Sequence, residues 1–64
     1  MKREKLIKYL KKHNCETYRE GKRHTIFINR KNNQLTAVPR HTDVNDKLIL
    51  SICKDLDIPK VQSH

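Results

Sequence analysis

Apolar positions recur at two different spacings along this 64-residue chain. Near the start, Leu6, Ile7 and Leu10 fall on one helical arc while Lys5, Lys8 and Lys12 line the opposite side, which predicts a helix from Lys2 to Asn14. Glu4 and Lys8 stand four apart in the order that supports a helix, and Asn14 suits its C-terminal end. Beyond it the period shortens. Cys15–Arg19 carries the β-favouring Thr17 and Tyr18, His24–Asn29 carries the strongest β run in Thr25-Ile26-Phe27-Ile28, and Gln34–Val38 follows. The loop Glu20-Gly21-Lys22-Arg23 holds the chain's single glycine, expected to serve a backbone conformation that other residues resist. The turn Arg30-Lys31-Asn32-Asn33 offers asparagines that tolerate positive φ, and Pro39 closes the third strand because it has no N–H for a ladder.

Helical spacing then returns. Val44, Leu48, Ile49, Ile52, Cys53 and Leu56 share a broad arc, with Leu50 off it. Asp43 with Asp46 three residues on, or Asn45 itself, is the expected cap, and Pro59 the stop. The expected class is α+β in the order α-β-β-β-α. The short turns imply an antiparallel three-stranded meander, and both helices must lie on one face of it for their apolar stripes to share a core. Residues 1–59 read as one domain and 60–64 as a loose tail.

Composition limits what such a domain can hold. A chain of this size buries only about 60% of the surface its unfolded form exposes, which argues against a deep pocket for a large organic cofactor, and none is expected. Leu, Ile, Val and Phe make up 16 of 64 residues, enough for a folded core. No apolar stretch approaches the roughly 20 residues of a membrane span, and the lysines among Leu6, Ile7 and Leu10 interrupt any signal-peptide core. No membrane association is expected, and a cytoplasmic location is. Cys15 and Cys53 would stay reduced there as small buried hydrophobes, and no Cys/His spacing fits a metal site.

Charge changes the picture more. The net charge is +8, and residues 1–32 carry 11 basic and 3 acidic side chains against 4 of each in residues 33–64. Cations clustered in one half fit a polyanion-facing surface, with solubility alone as the plain alternative. His13, at a helix end, and the terminal His64 read as bystanders. His24 and His41 stand among cations, the first after Gly21-Lys22-Arg23 and the second after Val38-Pro39-Arg40. Cleavage of RNA is within reach of so small a site, because the substrate's 2′-hydroxyl is the nucleophile. The protein then needs a proton carrier and positive charge near the phosphate.

Three stretches resemble a known family: Lys-Leu-Ile-Lys-Tyr-Leu-Lys-Lys at 5–12, Gly21-Lys22-Arg23-His24-Thr25-Ile26-Phe27, and Val38-Pro39-Arg40-His41 followed by the helix around Ser51-Ile52-Cys53-Lys54. Over about residues 3 to 59 the chain is similar to HicA-type toxins, the messenger-RNA-cleaving halves of toxin–antitoxin pairs. Lys22 and Arg23 stand where the family's glycine–serine–histidine stretch has only a serine, and Lys47-Leu48 where a glycine–threonine often opens the last helix. The resemblance implies a fold like a double-stranded-RNA-binding domain, a metal-independent endoribonuclease acting on mRNA, a HicB-type antitoxin as protein partner, and His24 as the catalytic group. Lys22, Arg23, Arg40, Lys5, Lys8 and Lys12 are then the candidate RNA-phosphate ligands, with Gly21 and His41 as possible auxiliaries. A non-catalytic RNA-binding module of the same fold is the alternative, and a divergent toxin that only binds its partner is a third. Acidic Asp43 and Asp46 would repel phosphate from the start of the last helix, so the usual duplex-binding mode is not expected unchanged.

One choice stays open at this level. Strand alternation puts His24, Ile26 and Ile28 on one face and Thr25 and Phe27 on the other. If His24 faces outward, two isoleucines are exposed with it, a patch that suits a bound antitoxin.

Overall fold

The computed structural model describes residues 1–61. Its elements are α1 (Arg3–Lys12), β1 (Cys15–Glu20), β2 (His24–Asn29), β3 (Leu35–Pro39) and α2 (Asp46–Leu56), in the expected order. The three strands form an antiparallel sheet with β2 in the centre. Leu6 and Leu10 of α1 and Ile49, Ile52, Cys53 and Leu56 of α2 are buried in one core with Phe27 and Val38 of the sheet. Both helices therefore cover the same face, as their apolar arcs require, and the fold is like that of a double-stranded-RNA-binding domain. Leu50 is 46% exposed, off the buried arc.

The ends of the elements follow from local chemistry. Asn45 caps α2, its side chain accepting from the Leu48 N–H at 2.8 Å, while Asp43 instead stands 3.7 Å from Lys2. Helix α2 closes on Asp57 in the left-handed region (φ 55°), with the Ile58 N–H bonded to the Cys53 carbonyl at 3.0 Å before Pro59. Helix α1 is shorter than its sequence pattern. Lys2 is drawn into an extended bridge with Asp43, and Asn14, at φ 66°, turns the chain into β1. β1 runs one residue further than expected, to Glu20. β3 is shifted one residue along, so that Pro39 ends it inside the ladder, paired with His24. β3 is an edge strand, where a missing N–H is tolerated.

β1 carries a bulge that the sequence does not announce. Thr17 pairs with Phe27 but Arg19 pairs with Ile26, leaving Tyr18 as the extra residue. Every later pairing slips by one, so Glu20 lies opposite Thr25 rather than His24.

The open choice of faces is resolved. Thr25, Phe27 and Asn29 point into the core, and His24 is exposed on the uncovered face. The two isoleucines beside it are less exposed than that orientation implied, Ile26 being half-buried and Ile28 only 6% exposed. β2 is the central strand, so its side chains are flanked from both sides, Ile28 by Glu16 and Leu35. The apolar side chains this strand pairing leaves open are Leu35 (47%) and the bulged Tyr18 (56%).

Cys15 and Cys53 are free and buried, and burial pushes both thiols up from their ordinary value. His13 is half-buried rather than exposed, its ring 4.5 Å from that of Tyr9. Of the expected tail, the Lys60 carbonyl accepts from the Tyr9 hydroxyl at 3.1 Å and Val61 packs against the core. Residues 62–64, with His64, lie outside the described residues. Among the described residues no helix is long and apolar enough to cross a membrane.

Candidate active site at the basic end of the sheet

In an antiparallel meander the end of β1, the start of β2 and the end of β3 meet at one edge. Here that edge brings Glu20, His24 and Pro39 together, and the segment after Pro39 returns along the start of α1. The Arg3 N–H donates to the Thr42 carbonyl and the Val44 N–H to the Met1 carbonyl, both at 2.8 Å, which ties that return in place.

Lys22, Arg23, Arg40 and His41 line one open cleft of about 430 Å³ here. The cleft joins two stretches 17 residues apart in sequence, and four basic side chains converge in it, a local field suited to an anion. Arg40 also borders a second hollow, with Lys2, Arg3, Glu4 and Thr42. His24 is not among the cleft's lining side chains. It stands exposed beside the cleft, next to Arg23 in sequence and opposite Pro39 across the sheet. Lys5, Lys8 and Lys12 are exposed along α1 and line neither hollow. The helix rises about 1.5 Å per residue, so Lys12 sits about 14 Å along the axis from Arg3.

A charged network under the cleft escaped the sequence reading. Arg3 donates from Nε to the Pro39 carbonyl at 2.8 Å and from Nη2 to the Thr25 hydroxyl at 2.9 Å. That hydroxyl donates to Glu20 Oε1 at 2.8 Å, and the same oxygen accepts from Arg40 Nη2 at 2.8 Å. The Thr25 hydrogen bond, and next the Arg40 one, hold the Glu20 carboxyl below its ordinary value. Arg40 donates further to the Gly21 and Lys22 carbonyls. The bulge at Tyr18 enables this network, since only the slipped register puts Glu20 opposite Thr25.

Gly21 owes its place to close approach. Its N–H donates to the His24 carbonyl at 2.8 Å, and a Cβ there would stand 2.9 Å from that same oxygen. Its φ is not positive, so the expectation of an unusual backbone conformation is replaced by a steric reason.

At the far end of the sheet, buried Asn29 joins the β2–β3 turn to α2. Its Nδ2 donates to the Leu56 carbonyl and its Oδ1 accepts from the Lys31 N–H, at 2.8 and 2.9 Å. Among the described residues no three His, Cys, Asp or Glu side chains stand together as metal ligands.

The family model described as HicA toxin of bacterial toxin-antitoxin matches residues 3–58. No curated protein and no solved structure matches the chain significantly. A match across nearly the whole chain, on a fold of the order the resemblance implied, makes this chain a member of the HicA toxin family, the toxin side of a toxin–antitoxin pair.

Proposed function

We propose that the chain is a metal-independent endoribonuclease that cleaves mRNA in the cytoplasm and is held inactive by a HicB-type antitoxin. The observation that carries this reading is an exposed imidazole, His24, at the edge of a cleft lined by Lys22, Arg23, Arg40 and His41. In RNA the 2′-hydroxyl attacks the adjacent phosphorus. A base must take its proton and an acid must protonate the departing 5′-oxygen. His24 serves in that exchange, since an imidazole can both accept and donate a proton. Lys22 and Arg23 hold the phosphate as charge builds on its oxygens, and His41 is placed in the same cleft to assist. Lys5, Lys8 and Lys12 add attraction for RNA beyond the cleft.

The antitoxin is expected on the open face of the sheet, where Leu35 is exposed on the same side as His24. Labelled RNA incubated with the purified chain and excess chelator tests the reading. Cleavage supports it, whereas a mobility shift without cleavage points to an RNA-binding module.

A further inference from the structure

The loop that presents His24 lacks half of its own closing hydrogen bonds. Two residues, Lys22 and Arg23, connect Gly21 to His24, and a two-residue hairpin loop normally adopts a turn with positive φ. Neither residue takes positive φ here, and neither does Gly21. The Gly21 N–H reaches the His24 carbonyl, but the return bond from the His24 N–H to the Gly21 carbonyl is not made. That carbonyl, and the next one at Lys22, accept from outside the hairpin instead.

Both carbonyls are met by Arg40. Pro39 pairs with His24, so β3 releases its next residue directly beside the loop. Arg40 Nη2 donates to the Gly21 carbonyl and to Glu20 Oε1, and Nη1 reaches the Lys22 carbonyl at 3.4 Å. A planar guanidinium can serve acceptors on three successive residues at once, whereas an ammonium concentrates its donors at one point.

We infer that Arg40 is a positioning residue, a clasp that replaces the missing turn bond and so fixes where His24 stands. The inference rests on the ribonuclease reading for its catalytic consequence, but not for the clasp itself. Arg40 acts through the loop rather than as a phosphate ligand, which leaves Lys22 and Arg23 as the cations free to meet RNA.

The test compares the full chain with Arg40→Ala and Arg40→Lys. Labelled RNA cleavage under chelator gives kcat, KM and the salt dependence of KM, and hydrogen exchange is followed at the Gly21 amide. A clasp predicts that both variants lose about 10- to 100-fold in kcat with KM little changed. It also predicts that the Gly21 amide exchanges about tenfold faster or more while the α2 amides keep their protection. A phosphate ligand predicts instead a raised KM, a salt slope shallower by about one, substantial rescue by Lys and unchanged Gly21 exchange, and that pattern overturns the inference. If the unmodified chain does not cleave RNA, the ribonuclease reading falls, and Gly21 exchange in the two variants alone decides for or against the clasp.

Discussion

Gly21 and His24 touch through their backbones: the Gly21 N–H donates to the His24 carbonyl at 2.8 Å, and the Gly21 Cα hydrogen faces the same oxygen. A Cβ at 2.9 Å would meet a backbone atom that cannot rotate away. Gly21→Ala should therefore spread the loop, costing about 1–3 kcal/mol in urea unfolding and lowering RNA cleavage by more than the lost stability explains. Unchanged stability and activity would show that the loop has slack.

At the other end of the sheet, Asn29 is 3% exposed and bonds to both α2 and the β2–β3 turn. Asn29→Ala removes the partner of the Lys31 N–H and weakens the tie to the Leu56 carbonyl, which retains Asn32 at 3.1 Å. A loss of about 1–3 kcal/mol is expected in chemical denaturation, since the variant gives up the buried bond to the Leu56 carbonyl and the bond that holds the turn at Lys31.

The Glu20 carboxyl gives the loop a pH dependence. Hydrogen bonds from Thr25 and then Arg40 lower its pKa from the ordinary 4.5. A depressed carboxylate stabilises the folded state fully above the unfolded value, and that contribution disappears as pH falls through the folded one. Protection of the Gly21 amide, corrected for intrinsic exchange, should hold from pH 7 to about 5 and decline below 4.5. Glu20→Gln should remove the decline.

These contacts mark where sequence reading stops. Both helices and the central strand were legible because Leu6, Leu10, Ile49, Ile52 and Leu56 repeat at helical spacing and Thr25–Ile28 is strongly β-favouring. His24 was legible as an imidazole among cations. Arg3, Thr25 and Glu20 were not, because each reads singly as an ordinary surface or strand residue. Their bonds span up to 36 positions and exist only after the meander closes. The Tyr18 bulge leaves no turn residue as a signal, yet it decides that Glu20 meets Thr25. Nor does sequence separate the lysines of α1 from the cleft, since membership depends on where the helix begins over the sheet.

Leu35 offers a way to separate folding from partner binding. It is 47% exposed at the start of β3, opposite Ile28 on the uncovered face. Leu35→Lys should change stability by about 0.5 kcal/mol or less while weakening capture by the antitoxin. Calorimetric titration with the cognate antitoxin checks this, and unaltered affinity would move the antitoxin to another surface.

The proposed ribonuclease depends most on His24 as the group that moves the proton. His24 is exposed and lies at the end of a strand, so His24→Ala should fold with stability within about 0.5 kcal/mol of the parent. The direct measurement is the single-turnover cleavage rate of labelled RNA in excess chelator, for the parent and for a His24→Ala chain verified as folded by circular dichroism. A fall of about 100-fold or more is expected, since positioned acid–base groups contribute about 10²–10⁴. Cleavage by the folded variant at the parent rate would contradict it.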